Sequence, residues 1–163
     1  MSMISEPPLS SVPRRPSTRP PVKKAVRAIT YGTFDMFHVG HVNLFRRIKE
    51  RCDYLIVAVS SDEFNAIKGK KSLISFEDRA LLVRACRYVD EVIREDDWAQ
   101  KASDIRQHSV DLFVMGNDWE GRFDEFSDIC RVVYLPRTVG ISSTEVKVRI
   151  RSTGHATRAV GVA

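Results

Sequence analysis

The sequence predicts an α/β protein, a Rossmann-like doubly wound sheet of about five parallel strands. Apolar runs of strand length alternate along the chain with amphipathic segments of helix length, which is the order of βαβ units. One run, residues 54–59, is continuously apolar, as expected for a parallel strand that is buried on both faces. Ligands of such sheets bind beyond the carboxyl ends of the strands, so the loops at those ends are where chemistry is expected.

The individual elements follow from local patterns. Strands are predicted at residues 27–31, 54–59, 88–93, 111–116 and 131–136. Helices are predicted at residues 42–52, 75–87, 100–108 and 142–150. Ser75 with Asp78, and Ser142 with Glu145, have the spacing of a capping box, which places a helix start at each serine.

Composition bounds the class of protein. A length of 163 residues with 43% hydrophobic residues fits one domain with its own core. No apolar run approaches the roughly 20 residues that cross a bilayer, and the start of the chain lacks the apolar core of a secretory signal. Three scattered cysteines without a CxxC pair argue against a disulfide framework or a zinc site. We therefore expect a soluble, cytoplasmic protein.

The net charge of +5 belongs to the two ends of the chain. Residues 1–27 hold six basic residues, one acid and six of the seven prolines, so we expect a disordered, basic, Pro-rich extension there. Residues 151–163 add two arginines and form a predicted flexible tail. The domain between them, residues 28–150, is slightly acidic, so its surface is not expected to bind nucleic acid.

The first predicted strand leads into the segment GTFDMFHVGH, residues 32–41. His38 and His41 fall in the first turn of the following helix, where free backbone N–H groups and the positive end of the helix dipole favour phosphate. Gly40 leaves room for a nucleotide to approach, and Thr33 lies at the strand end. Metal ligation by the two histidines is a weaker reading, since no further ligand cluster accompanies them.

This segment resembles the GTFDxxHxGH signature of the cytidylyltransferase-like nucleotidyltransferases. RTVGISSTEV, residues 137–146, resembles the second motif of that family, RTxGISTT, with Ser143 where threonine is usual. The segments DYLIVAVSSDEFN, YVDEVI and FVMGNDWEG look like those of the glycerol-3-phosphate cytidylyltransferase branch. The resemblance covers roughly residues 28–150 and implies an HxGH-type nucleotidyltransferase fold.

The resemblance also implies roles for individual residues. Catalysis would fall to His38, His41, Lys68 and Arg137. The nucleotide would be bound by Thr33, Phe34, His38, Val39, Gly40, His41, Lys70, Asp118, Arg137, Thr138, Gly140, Ile141, Ser142, Ser143 and Thr144. The acceptor would be bound by Lys68, Arg87, Trp98 and Lys101. Asp35 is expected to orient the first loop, Trp119 is assigned to packing, and no protein-held metal is expected.

The reaction that the resemblance implies joins CTP to sn-glycerol 3-phosphate with release of pyrophosphate, and its product would feed a teichoic-acid-like polymer. Mg²⁺, held mainly by substrate and water, is the expected cofactor. Family members are commonly homodimers, so a homodimer is expected, with no membrane partner. The alternatives are a sister enzyme that uses ATP or another polyol phosphate, a non-catalytic nucleotide-binding regulator, and an RNA-binding role for the basic extension.

Overall fold

The computed structural model describes residues 24–156, with side chains as far as residue 153. The predictions for residues 1–23 and 157–163 lie outside the described residues. Along the chain the elements are β1 (Arg27–Gly32), α1 (Val39–Lys49), β2 (Tyr54–Ser60), α2 (Asp62–Ile67), α3 (Phe76–Arg84), β3 (Glu91–Glu95), α4 (Gln100–Gln107), β4 (Leu112–Gly116), β5 (Arg131–Leu135) and α5 (Ser143–Ala156). Two short 3-10 helices, Asn117–Trp119 and Asp124–Asp128, lie between β4 and β5.

The five strands form one parallel sheet in the order β3-β2-β1-β4-β5. The chain runs outward from β1 in one direction and then returns to the other side at β4, so the doubly wound α/β fold predicted from the sequence is confirmed. The switch point lies between β1 and β4, and parallel sheets of this type bind ligands at the strand ends beside it. Within the described residues, no helix is long and apolar enough to cross a membrane.

The core has two layers, one on each face of the sheet. Alternate strand residues point to opposite faces, as the period of a strand requires. One layer includes Phe45 of α1 and Val83 of α3, packed against the β2 residue Val57. The other includes Ile105 of α4 and Phe126 of the second 3-10 helix. Strand β2, which lies between β1 and β3, is buried on both faces, which explains its unbroken apolar sequence.

Several elements differ from the sequence-based assignment. Helix α1 begins at Val39 and ends at Lys49, three residues before the predicted bounds of 42–52, and α3 ends at Arg84, before the predicted end at residue 87. The third strand was predicted from residue 88 but begins at Glu91, because Val89 N–H turns back to the Cys86 carbonyl while Asp90 N–H is the first to reach β2, at Leu55. Helix α2 was not predicted. Helix α5 continues to Ala156, past the predicted end at residue 150, so residues 151–156 are helical although they were assigned to the tail.

Candidate active site

Two adjoining cavities open at the carboxyl ends of the strands, next to the switch point. The larger cavity has a volume of about 460 Å³ and is rich in lysine. The smaller cavity has a volume of about 220 Å³ and lies between α1, β5 and the start of α5. Both are lined by Tyr31, His41, Met115, Trp119, Arg137, Ser143 and Thr144. Because these walls are shared, a ligand can span the two cavities at His41 and Arg137.

The two histidines form a reciprocal cap at the start of α1. His38 is the N-cap residue, and its Nδ1 accepts a hydrogen bond from Gly40 N–H at 3.1 Å. Backbone N–H of His38 in turn donates to Nδ1 of His41 at 3.4 Å. Since each Nδ1 is an acceptor, a neutral imidazole must carry its proton on Nε2. Both rings are therefore held as Nε2–H donors, and they stack with centroids 3.8 Å apart.

The surroundings keep these imidazoles uncharged. Burial lowers the pKa of His41 to about 3, reinforced by repulsion from His38 when that ring is protonated and by the Arg137 guanidinium. Burial and the Arg137 guanidinium also lower the pKa of His38. At neutral pH the pair in the ligand-free protein therefore supplies hydrogen-bond donors and no net charge. A polyphosphate would add negative charge beside them, which favours the imidazolium form.

The loop between β1 and α1 is conformationally strained. Phe34 and Met36 both adopt left-handed backbone conformations with φ of 52°, a region that non-glycine residues rarely occupy. Gly40 is needed for a different reason, since a Cβ atom there would lie 2.8 Å from Cε1 of His38 and 3.2 Å from Ile141. The loop thus holds the histidines in a close-packed geometry that leaves no room for a larger residue at position 40.

Asp35 connects three segments that surround the larger cavity. Its carboxylate accepts backbone N–H bonds from Leu73 and Ile74 at 3.0 and 3.1 Å, and it pairs with Lys147 of α5 at 2.7 Å. The Ser143 hydroxyl donates to the Asp35 carbonyl at 2.7 Å. Burial raises the pKa of Asp35, but the bonds from Lys147 and the two N–H groups outweigh burial, so the pKa is lowered overall. The expected orienting role of this residue thus has a structural basis.

A buried carboxylate organises the lysines of the larger cavity. Glu95, the last residue of β3, accepts a hydrogen bond from the Ser60 hydroxyl and pairs with Lys101 Nζ at 2.5 Å. Lys68 Nζ donates to the Ser60 hydroxyl at 2.8 Å and lies 3.7 Å from Glu95. Burial lowers the pKa of Lys68 to about 8, against the opposing effect of Glu95. One carboxylate therefore faces two ammonium groups and leaves a net positive site.

Arg79 of α3 holds together the backbone segments beneath this site, although the sequence gave no indication of this role. Its side chain is fully buried and donates to the carbonyls of Thr33, Ser60 and Ile74 at 2.6, 2.9 and 3.0 Å. Its remaining nitrogen pairs with Asp62 at 2.6 Å. One guanidinium thus joins the residues that follow β1 and β2 to the loop before α3, which sets the spacing between the histidine loop and the lysines.

Most residues assigned from the sequence line one of the two cavities. These are Thr33, Phe34, His38, Gly40, His41, Lys68, Lys70, Trp98, Lys101, Asp118, Arg137, Thr138, Ile141, Ser142, Ser143 and Thr144. Ser142 caps α5, accepting from Glu145 N–H at 3.1 Å. Asp118 lies 3.6 Å from Arg137 in an ion pair. The two motifs, far apart in sequence, therefore meet at one site.

Three assigned residues do not line either cavity. Val39 is largely exposed on α1, and Gly140 lies in the turn before α5 with φ of +79°. Arg87 is exposed in the loop that precedes β3, with its guanidinium 5.8 Å from the Tyr88 ring. Because a residue before a parallel strand lies at the amino edge of the sheet, Arg87 is on the opposite side from the cavities. The structure does not place it with the acceptor-side residues.

Several lining residues were not singled out from the sequence. Glu95 and Lys147 line the larger cavity, and Tyr31 and Met115 line both. Lys71, which belongs to the basic loop after β2 but was given no role of its own, lines the larger cavity, and Trp119, which was assigned to packing, lines both. Tyr31 and Glu95 stand near the ends of predicted strands, which was an available signal. Within the described residues no group of three or more potential ligands could hold a metal ion. The nearby carboxylates Asp35, Glu95 and Asp118 each pair with a cation.

Comparisons with known proteins agree with this geometry. Residues 29–149 match the cytidylyltransferase-like family. The chain is 56% identical over 124 residues to a glycerol-3-phosphate cytidylyltransferase of Bacillus subtilis (strain 168), covering 76% of this chain and 96% of that protein. It is 55% identical over 121 residues to the protein of the same name in Staphylococcus aureus (strain NCTC 8325 / PS 47), covering 74% and 92% of the two chains.

Among solved structures, the lipopolysaccharide core biosynthesis protein from Thermoplasma volcanium GSS1 is similar in fold, with a TM-score of 0.64 at 21% identity. The match covers 71% of this chain and 99% of that chain. A more distant relative is the ethanolamine-phosphate cytidylyltransferase of Mus musculus, 32% identical over 134 residues, which are 78% of this chain and 33% of that protein. With its family match, its sheet order and its paired histidines at the switch point, this chain belongs to the cytidylyltransferase-like family.

Proposed function

We propose that this protein is a glycerol-3-phosphate cytidylyltransferase, which converts CTP and sn-glycerol 3-phosphate to CDP-glycerol and pyrophosphate. The observation that carries the proposal is identity above one half with two enzymes of that name over almost their whole lengths. The site geometry supports it, because one cavity wall presents imidazole N–H donors and the other presents lysines. A site that joins two phosphorylated substrates needs both.

The reaction is an in-line displacement at phosphorus. A phosphate oxygen of the acceptor attacks the α-phosphorus of CTP, a new P–O bond forms, and the bond to the bridging oxygen breaks. Pyrophosphate leaves with the electron pair of that bond. No covalent bond to the protein is required, so catalysis rests on positioning and on stabilising the negative charge that shifts toward the leaving group.

The residues around His41 supply that stabilisation. The Nε2–H groups of His38 and His41 are fixed by their capping bonds and need not reorganise when charge develops. Helix α5 begins beside them, and Ser143 and Thr144 bring hydroxyls and free backbone N–H groups to the same place. Arg137 lines both cavities and can clamp the phosphates where they cross from one cavity to the other.

The larger cavity suits the acceptor. Lys68 and Lys101 lie against Glu95, and Trp98 stands at the rim with 45% of its surface exposed. We assign Lys68 to the acceptor phosphate because its ammonium group is desolvated and is only partly neutralised by Glu95. The cytidine then occupies the smaller cavity, next to Asp118 and Thr138.

We further propose that Mg²⁺ enters with CTP and is held by the phosphates and by water. The carboxylates of the site are already paired with cations, so the described residues fit an ion carried by the substrate better than one held in a protein cage. Such an ion would neutralise phosphate charge during transfer. A cytoplasmic homodimer that supplies CDP-glycerol for a teichoic-acid-like polymer completes the proposal.

The test is pyrophosphate release measured with CTP or ATP against a panel of polyol phosphates. Turnover confined to CTP and glycerol 3-phosphate is the expected result. Turnover with ATP or with a different polyol phosphate would show that the protein is a related nucleotidyltransferase with the same reaction mechanism and a different substrate. Full binding of CTP without turnover of any acceptor would show that the protein is a nucleotide-binding regulator and would overturn the proposal.

A further inference from the structure

The ammonium group of Lys101 is enclosed in an unusual setting. Its side chain is 2% exposed, and Nζ lies 2.5 Å from a carboxylate oxygen of Glu95. Aromatic rings complete the enclosure, with centroids 4.6 to 5.9 Å from Nζ: Tyr31, Trp98, Phe64 and Phe123. The ammonium group of Lys101, a residue of α4, is therefore surrounded by four aromatic rings and the Glu95 carboxylate, an enclosure that we call the aromatic box.

Aromatic faces together with a carboxylate form the kind of box that binds alkylammonium groups. In this protein the box lines the larger cavity, where the acceptor is proposed to bind, and the group inside it is the protein's own. An acceptor that carries an ammonium group would have to displace Lys101 or lie against it. An acceptor with hydroxyl groups instead meets an ammonium donor.

The net positive charge of the larger cavity also disfavours an acceptor that carries an ammonium group. Lys68 lies 3.7 Å from Glu95, so the Glu95 carboxylate already faces two cations, and Asp35, the other carboxylate that lines this cavity, is paired with Lys147. Lys70 and Lys71 also line this cavity. A further positive charge on the alcohol end of the acceptor would face net repulsion in a partly desolvated space, where like charges in contact are costly.

We propose that Lys101 is the specificity-determining residue of the acceptor site. By occupying the aromatic box it excludes amino-alcohol phosphates and selects uncharged polyol phosphates. This inference rests on the proposed function and adds to it a preference among acceptors, with polyol phosphates accepted and ethanolamine-type phosphates rejected. The residue selects through its charge and its place in the box, in addition to any contact with the acceptor itself.

The first test uses the unaltered protein and two acceptors of equal length. Hydroxyethyl phosphate and ethanolamine phosphate differ only in a hydroxyl against an ammonium group. We expect kcat/KM with CTP to be on the order of 100-fold lower for ethanolamine phosphate, because like charges placed in contact disfavour binding of that acceptor. Equal kcat/KM values for the two acceptors would overturn the inference.

The second test replaces the charge with Lys101→Met, which keeps side-chain length, and uses Lys101→Arg as the matched control that keeps the cation. Lys101→Met removes the ammonium group that pairs with Glu95, so the carboxylate becomes available to the ammonium group of the acceptor. We expect the ratio of kcat/KM for ethanolamine phosphate over hydroxyethyl phosphate to rise at least about tenfold, and Lys101→Arg to leave it low. Adding Glu95→Gln to Lys101→Met should abolish the gain, since the carboxylate is its source.

Each outcome is decisive. An unchanged ratio in folded Lys101→Met, with both acceptors slowed equally, would make Lys101 a general contact and refute the inference. If Lys101→Met does not fold, as judged by circular dichroism, the acceptor pair on the unaltered protein decides alone. Turnover of glycerol 3-phosphate with CTP and no preference within the pair refutes only this inference. Absence of pyrophosphate release with CTP and glycerol 3-phosphate refutes the proposed function and this inference together.

Discussion

His38 has two separable tasks, and substitution by asparagine or alanine distinguishes them. Its Nδ1 caps α1 by accepting from Gly40 N–H, while its Nε2–H points toward the cavities with only a long contact of 3.5 Å to the Ser143 hydroxyl. Asparagine is among the best N-cap residues and keeps an acceptor for the helix, but it has no group at the Nε2 position. Alanine removes both.

The expected magnitudes follow from these contacts. Loss of one preorganised donor costs about 2.7–4 kcal/mol in the transition state, so both His38→Asn and His38→Ala should lower kcat on the order of 10²- to 10³-fold. Only His38→Ala also loses the cap, which is worth about 1 kcal/mol. The free energy of unfolding should therefore fall by roughly that amount in the alanine variant and by a few tenths in the asparagine variant.

Two assays check this reasoning: pyrophosphate release at saturating CTP and glycerol 3-phosphate, and equilibrium unfolding in urea. The informative result is two variants with similar kcat and different stability. If His38→Asn turns over within about threefold of the unaltered protein, the transition-state donor role assigned to Nε2–H is refuted. If the two variants unfold at the same urea concentration, the imidazole does not act as the cap.

Three further predictions concern the surrounding residues. Because burial lowers the pKa of Lys68 to about 8, its ammonium form is lost as pH rises through that value, so kcat/KM for the acceptor should fall above pH 8. Lys68→Arg should remove this decrease at alkaline pH. A decrease that persists in Lys68→Arg would show that another group titrates. Gly40→Ala should lower kcat/KM at least about tenfold, because the added methyl group would displace the His38 ring. The assay is turnover of CTP, and unaltered activity would contradict the prediction. Arg79→Ala should lower the free energy of unfolding measured in urea by about 3 kcal/mol or more, since it leaves Asp62 and the carbonyls of Thr33, Ser60 and Ile74 without their donor. A loss below about 1 kcal/mol would show that water replaces the guanidinium.

The sheet and the histidine loop were predictable because their signals are local. Continuous apolar runs identify buried parallel strands, and the spacing of His38, Gly40 and His41 after such a run places them at a helix start. The start of the third strand was predicted less accurately. Tyr88 and Val89 are apolar because they pack against the core from the turn before β3, and not because they belong to the strand. Helix α2 has the cap signal of Ser61, which accepts from Phe64 N–H, but it is too short for periodicity to reveal.

The acceptor side was only partly predictable, because its organisation depends on contacts that are distant in sequence. Glu95 is the first of three consecutive acids in the sequence, and only the pairing of β3 with β2 distinguishes it by bringing it beside Ser60. Arg79 is buried although arginine is usually exposed, and three of its four partners are backbone carbonyls that carry no side-chain signal. Arg87 does not line the two cavities of the described chain, and its sequence neighbourhood, a basic residue near a predicted strand, does not indicate at which end of the sheet it lies.

Helix α5 also has a consequence for the order in which the protein becomes active during synthesis. Ser143 bonds to Asp35 across 108 positions of the chain, and Lys147 reaches the same residue. A nascent chain that has not yet extended to Ser143 already contains all five strands, but it lacks the helix that closes both cavities. Domains begin to fold as they emerge from the ribosome, so the core can form first, and the completed site appears in a single late step.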